Sequence, residues 1–141
     1  MSILLLLSLL LNPPQPKIPY YGMSEELFRL TNLQREVPLI EDECLKQKSY
    51  YRAEKMYKDG YFSHTDPATS KTPYSEMVFS CDSKFMYAGE NLAIGFKDVN
   101  SMSEALTKSP THKKNIVNPK YSKVGINCYL SLCVEFFAGE K

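Results

Sequence analysis

The end of the chain leaves the fold little freedom. Residues 123–130, KVGINCYL, and 132–139, LCVEFFAG, are rich in Val, Ile, Tyr and Phe and read as two β-strands. The loop between them is very short, so they predict a hairpin around which the rest must be arranged. The earlier segments read as helices. Ser24 followed by Glu25 and Glu26 predicts a helix start, with Leu27, Leu30 and Leu33 as its apolar face and an end before Pro38. Asp42 is expected to cap a second helix that stops at Gly60. Within it Leu45, Ser49, Arg52, Ala53, Met56 and Tyr57 recur at spacings of three and four. Residues 61–77 are loop-rich, with turn signals at Asp66-Pro67 and Thr72-Pro73, and a short helix is predicted from Tyr74 to Phe79. A further helix over residues 99–108 ends at Ser109-Pro110. Helices, a polar middle and a closing hairpin describe an α+β domain.

The other end carries a different signal. The Ile3 to Leu11 run is apolar except for Ser8, and its nine residues fall far short of the roughly 20 that span a bilayer. Its length fits the apolar centre of a secretory signal peptide, although no Lys or Arg precedes it and no clear small-x-small site follows. Pro13, Pro14, Pro16 and Pro19 then form a stiff linker that no helix crosses. Residues 1–22 are therefore read as an atypical signal peptide and linker, residues 23–141 as the domain, and the protein as secreted. Four cysteines, none in a CxxC pair, suit export better than a zinc finger. The expected bridges are Cys128–Cys133, across the hairpin connection, and Cys44–Cys81. With 17 Lys and Arg against 16 Asp and Glu, the net charge of +1 argues against a nucleic-acid partner, and Lys108, Lys113 and Lys114 read as a solvated helix face.

One stretch resists a purely structural reading. In AGENLAIG, residues 88–95, Glu90 sits beside Asn91 in an otherwise apolar octet, and a buried carboxylate there needs a partner. The chain has only two histidines, His64 in GYFSHTDP and His112 in SPTHKKNIVNP, both in segments dense with turn residues and flanked by apolar anchors. Glu90 is the natural third member of a constellation and Glu76 a fourth. Two imidazoles and two carboxylates can hold a divalent metal, carry out acid–base chemistry, or form a polar cluster that shapes a cleft without turnover. No serine stands out as a nucleophile: Ser63 merely precedes His64, and Ser109 precedes a proline.

GYFSHTDP, AGENLAIG, SPTHKKNIVNPKYSKVGIN and VEFFAG, in that order and spacing, resemble the CAP superfamily of cysteine-rich secretory, antigen 5 and class 1 pathogenesis-related proteins, its bacterial SCP-like branch above all. The resemblance covers residues 27–138 and implies a three-layer α-β-α sandwich with a central antiparallel sheet. It also implies a cleft in which His64, His112 and Glu90 match the family's site, with Glu76 a looser match for a further acid. Some members hold zinc or another divalent ion through the two histidines, and some bind sterols or fatty acids. The pattern departs at Leu106, where relatives carry Trp, and at Thr111 and Lys113 on either side of His112. The expected function is a non-enzymatic extracellular binding module whose His/Glu cleft holds a divalent metal weakly, with no organic cofactor. The alternatives are a metal-assisted or His/Glu acid–base hydrolase using His64, Glu76, Glu90 and His112, and a lipid or sterol binder. The expected partner is an extracellular ligand such as a lipid, a sterol or a surface protein, with no nucleic acid and no transmembrane segment.

Overall fold

A computed structural model describes residues 22–141. The apolar run at Ile3 to Leu11 and the proline linker lie outside the described residues. The first helix, α1 (Met23–Leu33), begins at Gly22 and makes no side-chain cap bond, so Ser24 is inside the first turn rather than its cap. Its buried positions are Met23, Leu27 and Thr31, spaced by four. The stripe is rotated from the expected Leu27, Leu30 and Leu33, and Leu33 faces solvent. A polar residue takes the inner position because Thr31 has a buried partner, described below.

A two-residue strand, β1 (Ile40–Glu41), leads into α2 (Glu43–Asp59). Asp42 caps α2 by accepting from the Leu45 N–H, and Gly60 ends it in the left-handed conformation, φ 73°. Leu45, Ser49, Arg52, Ala53 and Met56 are buried as the spacing predicts. Tyr57 is not: it leans outward onto Tyr129 in an edge contact. After the loop comes α3 (Tyr74–Phe79), on the predicted residues.

The next element, β2 (Phe85–Ile94), is a strand of 10 residues that Gly89, Glu90 and Asn91 disguise in the sequence. Its pairing with the last strand supplies what local propensity does not. Helix α4 (Val99–Lys108), capped by Asp98 at the Ser101 N–H, and α5 (Pro110–Ile116) follow. The hairpin closes the chain as β3 (Lys123–Tyr129) and β4 (Leu132–Glu140).

The sheet order is β1-β3-β4-β2. β4 pairs antiparallel with both β2 and β3, while the short β1 joins β3 in parallel. Since β4 is covered on both faces, its residues divide between two cores. Cys133 and Phe137 pack with Leu27 of α1, Met102 and Leu106 of α4 and Ile116 of α5. Leu132, Val134, Phe136 and Ala138 pack with Leu45, Ala53 and Met56 of α2 and Val78 of α3. The molecule is thus an α-β-α sandwich. Leu106 belongs to the first core at 3% exposure, so the position where relatives carry Trp is here a core position. Both expected bridges are formed: Cys128 and Cys133 are direct cross-strand partners, and Cys44–Cys81 ties α2 to the segment after α3.

Candidate functional site

Strand β2 presents Glu90 to the α2 side and Asn91 to the opposite side, because neighbouring residues on a strand point to opposite faces. Glu90 is buried, and both carboxylate oxygens are engaged. Oε2 accepts from Arg52 Nε at 3.0 Å, and Oε1 lies 2.7 Å from His64 Nδ1. An ionised carboxylate can only accept, so in this pair Nδ1 carries the proton and donates it. His64 Nε2 is then the ring nitrogen turned away from Glu90. It has no hydrogen-bond partner among the described residues, and the side chain is half exposed.

Arg52 is the residue that sequence reasoning undervalued. It occupied a slot in the helical stripe of α2, yet its guanidinium, 1% exposed, organises the loop. Nη1 donates to the Tyr61 hydroxyl at 2.9 Å, and Nη2 to the carbonyls of Ser63 and His64 at 2.8 and 3.0 Å. The signal was available, since a charged residue on a buried stripe demands a counter-charge, and Glu90 demands one too.

His112 lies in the first turn of α5 and is half-buried. Burial, with the charge of His64 as the second cause, pulls its pKa below the usual imidazole value, so it is a neutral base at neutral pH. A second guanidinium fixes the chain that follows it. Arg35 donates to the carbonyls of Ile116, Asn118 and Tyr121 at 2.8–2.9 Å, and to that of Val37. Asn115, one turn along α5, donates to the Glu90 carbonyl and to Asn91 Oδ1, and Asn91 Nδ2 donates to the His112 carbonyl at 3.1 Å. Tyr121 donates to the Ala88 carbonyl. Gly89 allows this approach, since a Cβ there would lie 2.5 Å from the Tyr121 hydroxyl.

A depression of about 250 Å³ opens beside His64, lined also by Tyr74, Gly89, Glu90, Asn115 and Tyr121. His112 is not among the residues that line it. Glu76 is exposed on α3 and does not line it. The structure thus joins His64 and Glu90 directly, brings His112 within electrostatic reach of His64, and leaves Glu76 apart. Among the described residues, one group of three His, Cys, Asp or Glu side chains gathers its ligand atoms within 4.8 Å, namely Asp42, Cys44 and Cys81. Its two sulfurs form a disulfide and its carboxylate caps α2, so it offers no thiolate to a metal.

On the far face of the sheet, Glu135 of β4 stands directly across from Asn91 and is 1% exposed. It accepts from Asn91 Nδ2 at 3.2 Å and from the Thr31 hydroxyl at 2.8 Å, and makes no ion pair among the described residues. Burial pushes its pKa up to about 7, with the two hydrogen bonds opposing. Sequence reasoning missed it, although Glu135 in VEFF carries the same signature as Glu90 in AGENLAIG.

Comparison with known proteins gives this arrangement a family. The chain is 32% identical over 106 residues to an uncharacterized protein, YkwD, of Bacillus subtilis (strain 168), an alignment covering 72% of this chain and 40% of that protein. The chain thus spans about two fifths of that curated relative. Its fold matches an extracellular protein containing a SCP domain from Bacillus anthracis str. Ames, with a TM-score of 0.76 and 24% identity over 86% of this chain and 41% of the other. It also matches an outer surface protein of Borrelia burgdorferi, with a TM-score of 0.65 and 25% identity over 89% and 92% of the two chains. Residues 33–136 match the CAP family, described as the cysteine-rich secretory protein family. The chain, which carries His64, Glu90 and His112 within that span, belongs to the CAP family.

Proposed function

We propose that the protein is an extracytoplasmic binding module whose cleft holds a divalent metal ion weakly through His64 and His112. The observation that carries this reading is the engagement of Glu90 on both oxygens. A carboxylate fixed between Arg52 and His64 Nδ1 is an orienting group, the arrangement that presents an imidazole Nε2 to a metal. His112, neutral at neutral pH, offers the second lone pair. The donor set therefore suits zinc or a similar divalent ion, which would supply a Lewis-acidic centre to an anionic or carbonyl ligand. Two imidazoles are fewer than the three or four protein ligands of dependable zinc sites, so binding is weak, and Glu76 is left out of the set.

The two serines that adjoin the histidine segments in sequence are taken up by local contacts and do not stand as nucleophiles. Ser63 Oγ accepts from the Thr65 N–H, and Ser109 Oγ faces Thr111, both within local turns. Extracytoplasmic placement draws support from the two disulfides and from relatives described as extracellular or outer-surface proteins. Among the described residues no helix is long and apolar enough to cross a membrane.

Calorimetric titration with zinc tests the reading. The wild type is expected to give a binding heat that His64→Ala and His112→Ala each abolish, and equal heats in all three proteins would overturn it. The mass and thiol count of protein recovered from the source cells test its placement. A product retaining residues 1–22 with four free thiols would refute export.

A further inference from the structure

Among the described residues, Glu135 is the one fully buried acid that the binding site does not use, and its surroundings connect it to that site. It lies beneath the sheet with Thr31 of α1 on one oxygen and Asn91 of β2 on the other. Asn91 uses its two N–H groups on Glu135 and on the His112 carbonyl, and its oxygen accepts from Asn115. Asn115 in turn reaches the Glu90 carbonyl. A continuous chain of hydrogen bonds thus runs from α1 through the sheet to the helix that bears His112.

We propose that Glu135 is a proton-operated latch on α5, setting through Asn91 how firmly His112 is held. When Glu135 is ionised, both neighbours donate to a charged acceptor, and such bonds are roughly twice as strong as neutral ones. The Asn91 amide is polarised, its oxygen becomes a better acceptor for Asn115, and α5 is fastened to β2. When Glu135 takes up a proton, its O–H donates to the Thr31 oxygen, the Thr31 bond reverses, and Asn91 faces a neutral carbonyl. The hold on α5 loosens while the chain of contacts stays intact.

The other groups around Glu135 leave it to act alone. Ile126 of β3, across from it, and Met102 and Leu106 of α4, in the same core, are apolar. Thr31 and Asn91 are uncharged. The titratable groups around it are His112, whose carbonyl is one amide away on α5, Glu90, on the other face of β2 and paired with Arg52, and Tyr121 of the same core, whose pKa burial raises above its usual value. A Glu135 pKa pushed up by burial to about 7 places the transition within ordinary extracellular conditions.

The latch is tested in metal-free protein by NMR, following the Asn91 side-chain amide and the Lys113 backbone amide, whose peptide carbonyl is that of His112. Both signals are expected to share an inflection near pH 7 in the wild type. That inflection should vanish in Glu135→Gln, which keeps both hydrogen bonds without the charge, and move upward in Thr31→Val, which removes one of them. The titration of the His112 ring itself should persist in Glu135→Gln. An unchanged inflection in that variant, or silence at Asn91 and Lys113 while Glu135 titrates, would overturn the latch. A second arm rests on the metal-binding reading. Zinc affinity of wild type and Glu135→Gln should agree near pH 6 and differ by about threefold or more, in favour of the wild type, near pH 8. Equal affinities at both would also overturn the latch. Absence of zinc binding in both proteins would overturn the metal reading instead, and the NMR result would still decide the latch.

Discussion

Glu90 and Glu135 are two carboxylates buried in one sheet, on adjacent strands and opposite faces, and they behave differently. Glu90 has a guanidinium and an imidazole at hydrogen-bond distance. Glu135 has a hydroxyl and an amide. A buried acid paired with a buried guanidinium serves to hold other groups in place. A buried acid with only neutral donors titrates where burial moves it, here to about 7. The lesson is that depth alone does not decide the chemistry of a buried acid; the charge of its neighbours does.

The largest effect should come from removing the cation. Arg52→Met leaves Glu90 buried without its counter-charge and releases the loop at Tyr61, Ser63 and His64, which should cost about 3–5 kcal/mol in urea unfolding. Glu135→Gln has no such penalty, because its partners accept a neutral group. A loss above 2 kcal/mol in Glu135→Gln at neutral pH would erase the distinction between the two acids.

Next is the dependence of stability on pH. The folded-state pKa of Glu135 is raised from 4.5 to about 7, so between those values the native protein binds a proton that the unfolded chain does not. Stability from this group is therefore greatest near the lower value and falls as pH rises to the upper one, by on the order of 3 kcal/mol, and is level beyond it. The difference between wild type and Glu135→Gln isolates it, since the carboxylates of Glu26, Asp98 and Glu104, held below their usual range by hydrogen bonds, titrate alike in both. A difference that does not change across this window would refute the assignment.

Smaller effects separate the neutral partners. Thr31→Val and Tyr61→Phe each remove one hydroxyl hydrogen bond and should each cost about 1 kcal/mol. The cost of Thr31→Val should grow above pH 7, while that of Tyr61→Phe should stay constant, as thermal unfolding at two pH values would show. His64→Ala also removes one hydrogen bond, but at a half-exposed position where water can take the place of the ring on Glu90 Oε1, so its cost should be no larger, about 1 kcal/mol, even though this substitution removes a proposed metal ligand.

Much of the scaffold was legible in the sequence because local chemistry wrote it there. Asp42 and Gly60 mark the ends of α2, the closing strands carry β-branched and aromatic residues, and the cysteine spacing pointed to the bridges that form. The strand β2 was harder to see, because glycines and polar residues weaken its propensity and only its pairing with β4 holds it. The rotation of α1 depended on a tertiary fact, that Thr31 meets Glu135 across 104 positions of sequence. The pairing of His64 with Glu90 could be inferred from the cost of an unpaired acid. Arg52 and Glu135 obeyed the same reasoning but were absorbed into apolar patterns, one on a helix and one on a strand.

Arg52 and Arg35 both grip the main chain, through the carbonyls of Ser63 and His64 in one case and of Ile116, Asn118 and Tyr121 in the other. Every amino acid has such a carbonyl. The anchors are therefore indifferent to which side chains the two segments display, and position 64 can exchange its imidazole for another group without surrendering the loop's seat. The scaffold is in this sense a socket, in which chemistry can be replaced by drift or by design while the architecture stays as it is.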